Sequence, residues 1–325
     1  MTKGIIVSRT GGPEQLVMQE IQVGKPGPGQ VRIRHTAVGV NFIDVYHRTG
    51  LYPLPLPSSV GTEGVGLIEE LGEGVAGFKV GQRVAYVLGS PGSYVEARLY
   101  PADRLIPLPD EISDIDAAGI LLKGMTVQYL LRRTYEVKTG DTILFHAAAG
   151  GVGLIACQWT KALGAHLIGT VGTPAKADLA RSAGAAHVIN YETEDFVQAV
   201  KTLTDGKGVP VVYDSVGKDT FLRSLDCLRP RGLMVSFGNA SGPVSEFGLG
   251  MLASRGSLYV TRPTLGNYVA TRQELLDTAN DLFGLIKSGA IKANVGQTYP
   301  LSEAAQAHID LESRKTTGST VLLVS

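Results

Sequence analysis

The chain has 325 residues, 44% of them apolar and 18% charged, with 30 basic side chains balanced by 30 acidic ones. That length holds two domains of ordinary size, and the neutral balance offers no general attraction for nucleic acid or an anionic membrane. Two cysteines, Cys157 and Cys227, without any Cys/His cluster, signal neither a disulfide framework nor a thiolate zinc site, so a reducing compartment fits best.

The first residues, Met1-Thr-Lys-Gly-Ile-Ile-Val-Ser-Arg, lack the apolar core of a signal peptide. No run reaches the ~18 apolar residues of a membrane span, and a cytoplasmic protein is expected. From residue 1 to about 120, short β-type runs such as Val31-Arg-Ile-Arg, Val65-Gly-Leu-Ile-Glu-Glu and Arg83-Val-Ala-Tyr-Val alternate with Gly and Pro, which predicts a compact, mainly β region. Leu51-Tyr-Pro-Leu-Pro-Leu-Pro is too rich in proline for helix or central strand and predicts a stiff loop of the kind that walls a pocket.

From about residue 123 the period changes. A helical stretch is predicted over 125–133, and apolar runs at 142–147, 166–171, 187–191, 210–214 and 232–237 alternate with helix-type segments. This is the pattern of βαβ units in a doubly wound parallel sheet, so the fold class is α/β. Beyond Arg262-Pro263, a capping box of Thr271 and Glu274 opens a long helix that carries Leu275, Ala279, Leu282, Phe283 and Ile286 on one face and stops at Gly289. A second helix over 302–313 and a strand from Thr320 to Val324 end the prediction, with no internal repeat.

The strongest motif is Leu144-Phe-His-Ala-Ala-Ala-Gly150-Gly151-Val152-Gly153-Leu-Ile-Ala, an apolar strand entering an amphipathic helix through a glycine turn. In G-x-G-x-x-G register Ala148 takes the first glycine position. Gly150 admits a pyrophosphate close to the backbone, Gly153 lets helix and strand pack, and the N–H groups of Gly151 and Val152 face the phosphates at the positive helix end. The plain alternative is a tight turn; the surrounding βαβ context favours a dinucleotide. About 20 residues on, where an acid would select NADH, the chain reads Gly172-Thr173-Pro-Ala-Lys176. Lys176 and the Thr173 hydroxyl are placed to meet a 2′-phosphate, so NADPH is the expected cofactor. The competing reading of Lys176 is a solvated surface lysine.

The phrases Gly11-Gly-Pro-Glu, Asn41-Phe-Ile-Asp44, Gly61-Thr-Glu-Gly, Lys123-Gly-Met-Thr-Val, Ala147-Ala-Ala-Gly-Gly-Val-Gly, Val212-Tyr-Asp-Ser-Val-Gly217 and Leu233-Met-Val-Ser-Phe-Gly238 make the whole chain resemble the medium-chain dehydrogenase/reductase superfamily. Within it, they resemble the zinc-free NADPH:quinone oxidoreductases related to zeta-crystallin. The resemblance implies a Rossmann NADPH-binding domain over 123–263 and a mainly β GroES-like substrate domain over 1–122, completed by 264–325. Zinc alcohol dehydrogenases of the superfamily carry a cysteine within the phrase occupied here by Asn41-Phe-Ile-Asp and a histidine where Thr62 stands. With those ligands lost, no zinc is expected, and the acceptor should be intrinsically electrophilic, as quinones and enones are.

The resemblance also implies site residues. Asn41, Phe42, Ile43 and Asp44 line the nicotinamide end, although Asn and Asp are ordinary turn formers, and Thr126 meets the nicotinamide amide unless it bonds its own helix. Tyr191 joins Lys176 beside the adenine ribose phosphate. Val216, Phe237 and Gly238 follow strands whose carboxyl ends bind ligand in this fold. Arg262 and Arg314 are carried over as late cofactor contacts, against the alternative of plain surface arginines. Tyr46 and Tyr52 are the aromatic candidates for the acceptor pocket, or core. Asn41, Asp44, Tyr46 and Tyr52 are thus named as catalytic-site residues, with no proton assigned to any of them. His146 reads as a hydrogen-bonded structural histidine and Cys157 as a small buried apolar group.

The expected reaction is hydride transfer from NADPH to a quinone in an interdomain cleft. The rivals are a double-bond reductase for enones or alkenals and an NADPH-binding protein with a structural or RNA-associated role, the latter disfavoured by the lack of basic and aromatic interleaving. Relatives of this kind commonly pair through the edge of the cofactor-domain sheet, which makes Gly256-Ser-Leu-Tyr-Val-Thr-Arg the expected homodimer segment.

Overall fold

A computed structural model describes residues 2–245 and 247–324. The chain forms two compact units. One runs to Lys123 and includes Val269–Lys287 and the chain from Ala293; the other comprises Gly124–Tyr268 and Ser288–Lys292.

The first unit is built on the strand Gln30–Val40, which pairs antiparallel with Glu63–Leu71, Ala97–Pro101 and Ser319–Leu323. Val31 and Ile33 point inward while Arg32 and Arg34 point outward, the period-two alternation of a half-covered sheet. Beyond Ala37 the strand is buried on both faces and runs directly into a helix, α1 (Phe42–Thr49). This helix is absent from the sequence prediction: the eight residues are too few to show a convincing period, and Asn41 and Asp44 read as turn formers. In the structure they cap it. At its other end Gly50 takes a left-handed φ of 84°, a conformation open to glycine without a Cβ penalty.

The helix predicted over 125–133 begins earlier, as α2 (Asp114–Tyr129). Ser113 Oγ accepts the Asp116 N–H at 3.0 Å, an N-terminal side-chain cap. Between that cap and Met125 the helix is almost continuously apolar, which hides its period. Leu130–Thr134 then widens into a π-turn.

The second unit holds six parallel strands among the described residues, in the spatial order His187–Asn190, His166–Val171, Thr142–Phe145, Val209–Asp214, Leu228–Ser236, Tyr259–Thr261. By sequence rank this is 3-2-1-4-5-6, the order of a dinucleotide-binding sheet. Two helices follow its first two strands, α3 (Gly151–Ala162) and α4 (Pro174–Ser182). Leu154, Ile155 and Trp159 of α3 are buried, each contributing roughly 1.5–3 kcal/mol of apolar burial. The capping box of Thr271 with Glu274 forms as expected, opening the helix Arg272–Lys287. No helix among the described residues is long and apolar enough to cross a membrane.

Candidate active site

The first unit gathers its polar side chains where the strand Gln30–Val40 turns into α1. The Asn41 backbone N–H donates to Asp44 Oδ2 at 2.9 Å, and the Asn41 amide donates to Glu63 Oε1 at 2.7 Å. Glu63, buried to 1% exposure, also accepts from Lys123 Nζ at 3.3 Å and from the Leu122 N–H at 2.9 Å. Three donors on one carboxylate compensate its desolvation. The approach requires Gly39, where a Cβ would overlap Glu63 Oε1. Asn41 is therefore held twice, by its backbone and by its amide.

Asp44 has no exposed surface, and its Oδ1 has no hydrogen-bonding partner among the described residues. Burial raises its pKa to about 7, against the lowering influence of the Asn41 N–H and the Tyr94 hydroxyl. Tyr46 is nearly buried and meets the half-buried Tyr52 edge-on, with ring centroids 5.2 Å apart. Phe42 and Ile43 are half-buried on the first turn of α1, and the Phe42 ring is 6.3 Å from that of Tyr46.

In the second unit, Gly150 is the N-cap of α3 and no side chain caps the helix, so the N–H groups of Gly151, Val152 and Gly153 stand at the positive helix end in the manner that suits an anion. A Cβ on Gly153 would overlap the Ala147 carbonyl oxygen and lie 2.6 Å from Ala148 Cα. The alanine in the first motif position is accommodated across the sheet: a Cβ on Gly169 would lie 2.6 Å from the Ala148 methyl. Gly169 thus provides the room that a first glycine normally would. Ala147 takes the left-handed turn position, with φ of 55°.

At the start of α4, Thr173 is the N-cap and its Oγ1 accepts the Lys176 N–H at 3.3 Å. The Tyr191 hydroxyl lies against Gly172, where an added Cβ would be 2.6 Å away. Gly172, Thr173, Lys176 and Tyr191 are thus brought to one edge of the sheet. The donors at α3 and this polar edge fit the pyrophosphate and ribose phosphate of NADPH.

Val216 and Phe237 lie at the carboxyl ends of neighbouring strands. The Val216 N–H donates to Asp214 Oδ1 at 2.7 Å, and the Phe237 N–H to the Asp214 carbonyl at 2.8 Å. A Cβ on Gly238 would collide with the Ser215 backbone. Arg262 donates to the Ser236 and Gly238 carbonyls, both at 3.0 Å, which makes it a brace for the Phe237 turn. Thr126 is half-buried on α2. Arg314 belongs to the first unit, exposed just past the helix Ala304–Glu312, with φ of 58°. His146 bonds Thr170 Oγ1 at 2.9 Å and Ser224 Oγ at 2.8 Å; Cys157 is fully buried.

Sequence reasoning missed the roles of Glu63 and Lys123, although both stand in the family-like phrases Gly61-Thr-Glu-Gly and Lys123-Gly-Met-Thr-Val, and it missed Tyr94, His308 and Arg48 entirely. A glutamate and a lysine in otherwise apolar surroundings were the available signal for the first pair.

The alcohol dehydrogenase GroES-like domain family matches residues 27–110, and the zinc-binding dehydrogenase family matches residues 151–281. A quinone oxidoreductase of Pseudomonas aeruginosa is 57% identical over 324 residues, 99% of this chain and 100% of that protein. The crystal structure of Escherichia coli quinone oxidoreductase complexed with NADPH is similar with a TM-score of 0.97 at 54% identity, over 99% of each chain. A 2-haloacrylate reductase of a Burkholderia species is 49% identical over 331 residues, 99% of each chain.

Proposed function

The chain belongs to the quinone oxidoreductase family of the medium-chain dehydrogenase/reductase superfamily, and from that premise we propose that it reduces a quinone with NADPH. The observation that carries this reading is the uncapped glycine-rich start of α3 together with the Thr173, Lys176 and Tyr191 edge, at full-length identity to quinone oxidoreductases. The bound cofactor supplies the hydride. The chain's own part is to grip the phosphates at Gly150–Gly153, to hold the 2′-phosphate with Lys176, and to fix Asn41 through Asp44 and Glu63. Tyr46 and Tyr52 present aromatic edges suited to a planar acceptor, and most of the rate comes from positioning and exclusion of water.

The residues do not suit a catalytic zinc. Thr62 offers a neutral hydroxyl and Asn41 turns its amide N–H toward Glu63, so the two positions lack the thiolate and imidazole that the metal prefers. The acceptor must then carry its own electrophilicity.

The test is NADPH oxidation by purified protein with a panel of ortho- and para-quinones. Activity is expected, and Lys176→Glu should weaken NADPH by about 10- to 100-fold while improving use of NADH. No turnover with any quinone would refute the acceptor. The identity to 2-haloacrylate reductase supports a second reading, reduction of an activated C=C bond, which product analysis distinguishes.

The protein is further proposed to be cytoplasmic and homodimeric. Among the described residues Tyr259–Thr261 is an edge strand, paired only with Leu228–Ser236, and Tyr259 is 62% exposed. Unpaired strand edges recruit partners. Light scattering at micromolar concentration should give twice the chain mass, and a monomer mass would contradict it.

A further inference from the structure

A buried chain of side chains leads from the C-terminal helix to Asp44. Arg48, 1% exposed, donates from Nη1 to His308 Nδ1 at 3.1 Å and pairs with Glu312 at 2.8 Å. His308 Nε2 lies 3.1 Å from the Tyr94 hydroxyl, which lies 3.0 Å from Asp44 Oδ2. The direction of each bond follows from elementary chemistry. A guanidinium has no acceptor, so His308 Nδ1 must accept and carries no proton. His308 is neutral, its pKa pushed down to about 3 by burial and then by the Arg48 charge, so its one proton sits on Nε2. That N–H donates to Tyr94 Oη, leaving the Tyr94 hydrogen to point at Asp44 Oδ2.

The consequence falls on Asn41. Asp44 Oδ1 has no partner among the described residues, so the carboxylate's side-chain and backbone donors are the Tyr94 hydroxyl and the Asn41 N–H, both on Oδ2. The charges that face Asp44 from other elements are Glu63, which opposes its ionisation, and Lys123, which favours it. By hydrogen bonds, Arg48 is connected to it through His308 and Tyr94.

We propose that Tyr94 and His308 are positioning residues for hydride transfer: their one-way hydrogen-bond chain holds Asp44 as the acceptor that fixes the Asn41 end of α1. This rests on the reading of Asn41 as part of the site. Without the Tyr94 hydroxyl, Asp44 keeps its proton to higher pH, its bond to the Asn41 N–H changes from charge-assisted to neutral, and the N-terminus of α1 loosens.

The test uses the whole protein labelled with ¹³C at the aspartate carboxyls, the Asp44 signal being identified as the one missing in Asp44→Asn. Tyr94→Phe, nearly isosteric, is expected to raise the ionisation of Asp44 by about one pH unit. It should also lower kcat for quinone reduction about tenfold while KM for NADPH stays within about twofold. His308→Leu should move both readings the same way by less, since Tyr94 then loses only the bond that polarises it. His308→Gln, whose amide N–H can replace Nε2–H, should return both toward the parent. An unchanged Asp44 ionisation in folded Tyr94→Phe overturns the proposal, as does a loss that falls equally on kcat and NADPH KM. If His308→Leu does not fold, Tyr94→Phe still decides. A parent that reduces no quinone refutes the proposed function instead, and the carboxyl titration is read independently of it.

Discussion

Replacement of Gly153 by alanine is expected to destabilise the nucleotide-binding unit by about 3 kcal/mol and to abolish measurable NADPH binding. The Cβ would enter the space of the Ala147 carbonyl and the Ala148 backbone, and backbone yields far less readily than the end of a side chain. Relief requires α3 to move away from the strand Thr142–Phe145, which shifts the N–H groups at Gly151 and Val152 away from the places proposed for them beside the phosphates. Trp159, the one tryptophan of the chain, is buried on that same helix, so its fluorescence reports unfolding of this unit. Urea titration should show the loss directly, with NADPH titration as the second reading. Gly284→Ala is the control: it lies in the helix Arg272–Lys287 with nothing within 4 Å of an added Cβ. There the change should stabilise by about 0.5–1 kcal/mol. An unaltered urea midpoint for Gly153→Ala would show that the close approach does not constrain the turn.

Acid should destabilise the fold well before its exposed carboxylates titrate, because two histidines are buried neutral. Burial lowers the pKa of His35 to about 4 and that of His308 to about 3, from 6.5. A depressed pKa confers stability that is fully present above 6.5 and is lost as pH falls toward the folded value, at about 1.4 kcal/mol per pH unit for each group. Asp44 acts in the opposite sense. Its folded pKa of about 7 exceeds the ordinary 3.8, so its contribution is greatest below pH 4 and declines as pH rises to 7. Between pH 6.5 and 4, two histidine slopes are set against one aspartate slope. From these groups a net loss of about 2 kcal/mol is expected on going from pH 6.5 to 5. His47 and His146, also lowered by burial, add to the loss.

Single variants separate the terms. Asp44→Asn removes the opposing slope and should roughly double the acid sensitivity, to about 4 kcal/mol over the same interval, whereas His308→Gln should nearly abolish the net change from these three groups. Urea midpoints at the two pH values measure all three proteins. A parent whose stability is flat or rises on acidification would contradict the assignment of neutral buried histidines.

The parallel sheet was legible because its central strands are buried on both faces and stand out as apolar runs: four of the five predicted runs meet an observed strand within two residues at each end, and the fifth, 232–237, meets the longer Leu228–Ser236. The glycine turn was legible for the same local reason, since strand, Gly150, Gly153 and helix are contiguous. The short helix α1 and the true start of α2 were not. The first is held by a cap whose residues also suit a turn, and the second runs apolar without a break from Ala117 to Leu122, which erases the 3.6-residue signal.

What the sequence by itself determined is therefore what local residues decide: the glycine turn, the Thr173–Lys176 start of α4, and that Asn41 and Thr62 are neither cysteine nor histidine. What only the tertiary structure decided is the polar scaffold around Asn41. Glu63 and Lys123 are 60 positions apart, Tyr94 and His308 are 214 apart, and Arg48 and Glu312 are 264 apart. A hydrogen bond carries no trace in the spacing of its partners along the chain. It acts over about 3 Å, and only folding brings such groups within that reach.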